Sequence, residues 1–486
     1  MNEHSVSLGT PPGRWVLLAA VLGSAIAFLD STVVTTALES ISRDLGADLA
    51  DLQWVLTSYL LTLGSLLVIG GALGDRFGRR RVFVLGLAGF VVTSLLCGIA
   101  PNAELLILAR CVQGIAAAML VPGSLAIVSA TFVEADRGKA IGAWAGLAGV
   151  ASAGGPFLGG WLIDSFSWRW VFLINLPVGL VAILIALRHV PETRDEEATG
   201  PIDVAGALLL ALGLGGVVYG LIDGPAHGWG VAAVIGIVGG ATMLLAFVTV
   251  ERGAQNPVFP LELFRSPQFS GANATTLFVY AALGAATFLL VVHLQATLGY
   301  SALEAGASLM PITILMFLLS PGMGELAQRI GPRLPMTVGP IVAGVGLALL
   351  VRVGAGTTYW SGVFPGVVVL AGGLTITVAP LTSAVLAAVS DRHAGVASAV
   401  NNAVARLAAL LAVAVIPAAA GISGAGSSLE FGAGFDRAML MLGALSAIGG
   451  IVAALTVRRG TPVRSVAHVG ITHACDDPCV RTEAAA

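Results

Sequence analysis

Fourteen apolar runs, each long enough to cross a bilayer, follow one another along almost the whole chain. They lie near 15–38, 52–73, 82–100, 105–131, 139–163, 169–188, 204–222, 230–250, 269–292, 305–328, 335–352, 359–380, 394–420 and 437–457. A helix needs about 20 residues to span the hydrocarbon core. Backbone amides cannot stay unpaired in lipid, so continuous runs of this length fold as helices. The pattern predicts an all-α polytopic membrane protein with about 14 transmembrane helices. Charged residues make up 10% of the chain, against about 25% in soluble domains, which excludes a water-filled surface on all sides. The first run carries Asp30, exceeds a signal-peptide core in length and has no tidy small-residue cleavage site, so it reads as an uncleaved helix.

Arginines set the expected orientation. With the amino terminus inside, most of the 24 basic residues fall on the cytoplasmic side, including Arg76, Arg79, Arg80, Arg81, Arg137, Lys139, Arg329, Arg333 and Arg392. Arg43, Arg169, Arg352 and Arg437 stay outside, and Arg110 and Arg406 lie within helices. Both termini are therefore expected in the cytoplasm. Lys139 is the only lysine in an Ala- and Gly-rich chain, a bias that fits a high-GC bacterial coding sequence and a bacterial plasma membrane. Cys475 and Cys479, with His468 and His473 nearby, lie in a carboxy-terminal tail expected to be disordered. The Cys pair with its flanking histidines could hold a soft metal, but structural zinc sites usually need four well-spaced ligands, and no metal or other cofactor is expected.

A charged knot between two runs reads Gly71-Ala72-Leu73-Gly74-Asp75-Arg76-Phe77-Gly78-Arg79-Arg80-Arg81. A worn copy, Gly324-Glu325-Leu326-Ala327-Gln328-Arg329-Ile330-Gly331-Pro332-Arg333, keeps Gly, Leu, Arg, Gly and Arg at the same offsets. Such internal repetition implies a duplicated bundle. The spacing between copies leaves room for two extra helices, giving a six-helix bundle over 1–190, an inserted pair over 191–266, a second six-helix bundle over 267–457 and the tail over 458–486. The inserted helices would be joined by a turn at Asp223–Trp229.

Several further motifs occur in a fixed order. Leu29-Asp30-Ser31-Thr32 opens a segment running to Leu38, Gln53-Trp54 and Tyr59-Leu60 stand on the second run, and Leu108-Ala109-Arg110-Cys111-Val112-Gln113-Gly114 on the fourth. Gly154-Gly155-Pro156-Phe157-Leu158-Gly159-Gly160 lies on the fifth, followed by Trp168-Arg169-Trp170 and Asn175-Leu176-Pro177. Together with the knot, these resemble the major facilitator superfamily, specifically its fourteen-span drug:proton antiporter branch. The resemblance covers roughly residues 15–457. Thr36 and Glu39, Ala151 and Gln328 depart from the branch pattern.

Asp30 sits midway along its helix. A charged carboxylate there costs at least about 2.5–3.5 kcal/mol, and such residues are functional by default. Desolvation favours the protonated form of a carboxylate, which suits reversible proton binding. The resemblance also points to Asp30 for proton coupling; the alternative is a structural hydrogen bond. Arg110 cannot shed its charge and needs a partner, for which Gln113 and Asp30 are candidates. The resemblance gives it a role in releasing the Asp30 proton; the alternative is a static tether. Gly155, Pro156, Gly159 and Gly160 would make a bendable seam between the bundles, or generic close packing. Gly71, Asp75, Arg76, Gly78, Arg79 and Arg80 would form a cytoplasmic gate, with Glu134 and Asp136 as partners, although arginines there also serve topology.

Substrate contacts are sought among interior aromatic and polar groups: Gln53, Trp54, Thr57, Tyr59, Gln113, Asn273, Tyr280, His293, Asn401, Asn402 and Arg406. Most interior aromatics are merely packed core, which is the prevailing alternative for each. A phosphate-binding loop needs Gly-Lys-Ser/Thr, but Lys139 precedes Ala140, so an ATP-driven pump is excluded. The histidines are scattered rather than clustered at one depth, which argues against a membrane-embedded enzyme. The resemblance implies proton-coupled efflux of amphipathic drugs or antibiotics by a monomer, without a cofactor or nucleic-acid partner. An exporter dedicated to an endogenous metabolite or self-made antibiotic, and an importer, remain as alternatives.

Overall fold

The computed structural model describes residues 6–195, 203–254, 257, 259–354, 356–389, 394–422 and 428–458. The Cys475/Cys479 tail lies outside these. Fourteen helices are long and apolar enough to cross a membrane: α1 Pro11–Leu45, α2 Leu49–Phe77, α3 Arg79–Gly98, α4 Ala103–Thr131, α5 Asp136–Ser165, α6 Trp170–His189 and α7 Val204–His227, then α8 Val231–Glu251, α9 Pro267–Thr297, α10 Ala302–Ile330, α11 Arg333–Arg352, α12 Tyr359–Ala387, α13 Gly395–Ala419 and α14 Gly432–Thr456. Every apolar run became one helix. Residues such as Leu85, Leu184, Ile235, Leu245 and Leu318 turn large apolar side chains outward, as a lipid-facing surface requires.

Helix ends fall where local chemistry stops or starts them. α1 extends past its apolar run at both ends. Thr10 accepts a hydrogen bond from the Gly13 amide at 3.3 Å ahead of Pro11 and Pro12, and Gly46, at φ 65°, ends the helix in the left-handed region. Asp48 and Asp51 form a reciprocal cap on α2. α7 runs on to His227, so the turn expected at Asp223–Trp229 is shorter, at Gly228–Gly230, where Gly228 has φ 92°.

The internal repeat is visible in the backbone. Gly78 closes α2 at φ 110°, and its counterpart Gly331 closes α10 at φ 85°; both conformations favour glycine. Both lie in the left-handed half of the map; Gly78 is followed at once by Arg79, Arg80 and Arg81 of α3, and Gly331 by Pro332 and Arg333 at the start of α11.

Helices α1 to α6 pack on one another, as do α9 to α14. The α7/α8 hairpin packs its α7 face against both α2 and α13, through Leu210, Leu214, Val218 and Ile222 with Leu61, Leu410 and Ala414.

Candidate functional site

The centre of the first six helices holds a sealed polar cluster. Asp30 on α1 is fully buried and Arg110 on α4 is 1% exposed. Asp30 Oδ2 accepts from Arg110 Nη1, while Oδ1 accepts from Gln113 Nε2 and from Asn175 Nδ2, each at 3.2 Å. Arg110 donates further to Gln113 Oε1 at 2.7 Å and to the Val55 carbonyl at 3.1 Å. Ser94 on α3 accepts from Gln113 at 2.8 Å and from Asn175 at 3.3 Å. The guanidinium carbon lies 4.3 Å from the Tyr59 ring centre and 5.7 Å from that of Phe172. Tyr59 donates to the Ala27 carbonyl at 3.1 Å. Five helices (α1, α2, α3, α4 and α6) thus contribute to one hydrogen-bonded group. A buried ion pair persists only when its remaining donors and acceptors find partners, and here both Asp30 oxygens and the Nε and Nη1 of Arg110 do.

Both candidate partners of Arg110 therefore meet it. Gln113 and Tyr59, sought as cavity residues, belong instead to this cluster and face no open space. Asn175 and Ser94 complete it. Neither carries a signal of its own in the sequence, and Asn175 stands out only as part of the Trp168–Pro177 motif. In this conformation, opening the cluster to water requires helices to move.

Pro156 explains how α1 and α5 meet. Proline has no amide hydrogen, so the carbonyl four residues earlier loses its helical partner. That carbonyl, Ser152 O, accepts from Thr32 Oγ1 of α1 at 3.1 Å. Glycines on the same face allow the approach: a Cβ on Gly155 would strike Thr32 Oγ1, and one on Gly159 would lie 2.7 Å from Val33 Cγ1. The next turn meets the other half of the molecule. A Cβ on Gly160 would lie 2.7 Å from the Leu303 amide nitrogen of α10, and one on Gly306 would strike the Pro156 carbonyl. Beyond it, Asp164 accepts from the Ala302 and Leu303 amides at 3.2 and 2.9 Å, capping α10 from across the seam. Gln295 on α9 donates to the Thr36 carbonyl at 3.1 Å, and Gln53 on α2 to the Val413 carbonyl at 2.6 Å. The halves are thus closed at the end opposite the knot.

Toward the knot the α5/α10 side loosens, while Ala399 of α13 still packs against the first-half core. Gly142, Gly146 and Gly149 on α5, and Gly322 on α10, face open space. Of the α5 glycines, Gly155, Gly159 and Gly160 therefore make the tight seam in this state.

The knot is pinned by different acids than expected. Arg79 bonds Asp75 at 2.8 Å one turn back. Arg80 and Arg81 reach Glu192, at 3.7 and 3.6 Å, and Glu192 also accepts from the Arg80 amide at 3.0 Å. The chain leaving α6 is stitched along the knot by Arg79 N to Thr193 O (2.8 Å) and Asp195 N to Asp75 O (2.9 Å). A Cβ on Gly78 would come 2.6 Å from Glu192 Oε1. Gly71 lies against Pro122 of α4, and Arg76 lies 5.6 Å from the Phe77 ring centre. Asp136 is taken instead by Ser7 Oγ (2.5 Å) and the Leu8 amide (3.0 Å), and Glu134 begins the helix that leads into α5. Glu192 is close in space but distant in sequence, so no local pattern points to it.

The remaining candidates take the following places. Trp54 packs beside α7, and Thr57 bonds back to the Gln53 carbonyl. His293 is buried, stacks on Phe435 at 4.1 Å and contacts the Val353 carbonyl at 3.0 Å. Asn401 donates to Asn273 (3.1 Å) and Thr276 (2.7 Å), and Asn402 to Ser398. Tyr280 is half-buried against the second-half core. Arg406 is half-buried between the halves.

Two helical sets meeting at a proline–glycine seam over a buried ion pair are the architecture of a secondary transporter. The chain belongs to the Major Facilitator Superfamily, whose family model matches residues 20–413. It is 37% identical over 347 residues to the tetracenomycin C resistance and export protein of Streptomyces glaucescens, covering 71% of this chain and 64% of that one. It is 35% identical over 458 residues to the methylenomycin A resistance protein of Bacillus subtilis, covering 93% and 96%. Its fold is similar to that of a peptide transporter of the POT family solved with sulfate, with a TM-score of 0.68 at 13% identity over 93% of this chain and 96% of that one.

Proposed function

We propose that the protein exports amphipathic drugs or antibiotics across the bacterial cytoplasmic membrane in exchange for protons. The Asp30–Arg110 pair carries the reading: a titratable acid and a fixed cation, buried together where neither is needed for topology. Protonating Asp30 removes the charge that holds Arg110, so each proton bound or released reorganises a group shared by five helices. The antibiotic-resistance relatives support export as the direction.

Alternating access between the bundles at 1–190 and 267–457 would carry the cargo. The knot end is then cytoplasmic, both termini lie inside, and the observed conformation is the inward-open one. The Gly155–Gly160 seam closes the outer end, and the Gly71–Arg80 knot shapes the inner one. No cofactor is required. One proton moving down about 100 mV yields about 2.3 kcal/mol and a unit of pH about 1.4, together enough for a several-hundredfold gradient of a neutral compound.

Everted vesicles with an acidified lumen test this. Drug-evoked proton release by the wild type that vanishes in Asp30→Asn is the expected result. Release that persists in the variant would move the proton site elsewhere, to Glu39 or Glu325. No release with any compound would sink the drug-antiport reading in favour of a narrow native cargo or another coupling.

A further inference from the structure

Among the described residues, the charged side chains that lie well inside a span are Asp30, Arg110 and Arg406. Asp30 and Arg110 neutralise each other. Arg406, near the middle of α13, makes no ion pair with a described carboxylate. Its guanidinium carbon stands 5.6 Å from the centre of the Phe28 ring, on α1 of the opposite half. The backbones of α2 and α13 run close here, since a Cβ on Gly64 would lie 3.4 Å from Arg406 Cβ. Arg406 and Phe28 are both half-buried. A guanidinium does not lose its proton, and from mid-helix it cannot snorkel to either surface. It must therefore face water or a ligand.

We infer that Arg406 selects the cargo by charge, favouring amphiphiles that carry a carboxylate or other acidic oxygen beside an aromatic body. The inference rests on the export reading above and adds the chemical class of what is exported. A planar guanidinium receives a carboxylate through two parallel N–H···O bonds. Phe28 supplies flat apolar surface beside it. The one acid at comparable depth, Asp30, is fully buried within its own hydrogen bonds and offers nothing to a cationic drug. An inside-negative potential also favours the outward movement of an anion.

The test uses three matched probes in everted vesicles holding the full chain: anthracene carboxylate, its methyl ester and anthracene methylammonium. Energised, protein-dependent uptake is normalised to the amount of inserted protein. The wild type is expected to move the carboxylate in preference to the other two. Arg406→Gln should lower carboxylate uptake at least about tenfold while leaving the ester unchanged, and Arg406→Lys should restore part of it. Tighter binding of the carboxylate than of the ester by purified wild type, read from anthracene fluorescence, supports the same preference without a variant. Equal loss for all probes in Arg406→Gln, or wild-type preference for the cation or the ester, overturns the charge selection and leaves export standing. Failure of all three probes, together with no drug-evoked proton release, overturns the charge selection and the drug-antiport reading together.

Discussion

Asp164→Ala should open the end of the molecule opposite the knot. In the closed seam this carboxylate accepts two backbone amides at the start of α10, at 3.2 and 2.9 Å, from the other half of the protein. Those bonds exist only while the seam is shut, so their whole contribution biases the equilibrium between closed and open. Hydrogen bonds to charged groups contribute about 1.5–3 kcal/mol when buried. Asp164 is exposed, which brings two such bonds plus the favourable helix N-terminus to about 1–2 kcal/mol in total. That corresponds to an increase of about 5–30-fold in the open-to-closed ratio. Spin labels at Ile99→Cys and Trp360→Cys, 60% and 70% exposed at that end, would report the separation of the halves once the four native cysteines are replaced by alanine. Asp164→Ala should enlarge the long-distance population by that factor, and Asp164→Asn, which keeps one acceptor, by less. A distance distribution identical to that of the parent would refute the latch.

Gly160→Ala should likewise widen the label distance and depress transport, because its Cβ meets α10 backbone, whereas Gly142→Ala, which faces open space, should leave the distance distribution as it was. Asn175→Ala removes donors to Asp30 and Ser94 at the buried pair and should lower stability by about 1–3 kcal/mol, read as a fall in unfolding temperature of the purified protein. Glu192→Gln weakens the hold of Arg80 and Arg81 on the chain leaving α6; on this partly exposed surface the stability change should stay within about 1 kcal/mol, while protease cleavage at Thr193–Asp195 should accelerate.

The helices were legible because lipid leaves a chain few options: each apolar run had to become a helix, and only the ends moved. Ends depend on single residues such as Thr10 and Gly46, which hydropathy does not register. The site was half legible. Asp30 and Arg110 announce themselves as charges in apolar runs, and the structure pairs them directly. Ser94 and Asn175 do not, because a small polar residue inside a helix is unremarkable until the fold brings it to a carboxylate. The acid that meets the knot is hidden for a related reason. Glu134 and Asp136 follow in the next loop on the same side, but Glu192 is delivered by the return of α6, a packing outcome with no local sign. The depth at which α5 splits into a packed turn and a bare one was also beyond the sequence, since all of its glycines read alike.

The α7/α8 hairpin makes the two lateral borders of the molecule unlike. One border, between α2 and α13, lies under the flank of α7, and the chain leaving α6 is stitched along the knot by residues 192–195. Among the described residues the other, between α5 and α10, has no helix hairpin over it, and nearer the knot Gly142, Gly146, Gly149 and Gly322 face open space. A compound dissolved in the leaflet on that side meets one shuttered entrance and one unshuttered one. Traffic from the lipid then has a preferred door, and fluorescent amphiphiles crosslinked from the bilayer should mark α5 and α10 before they mark α2 or α13.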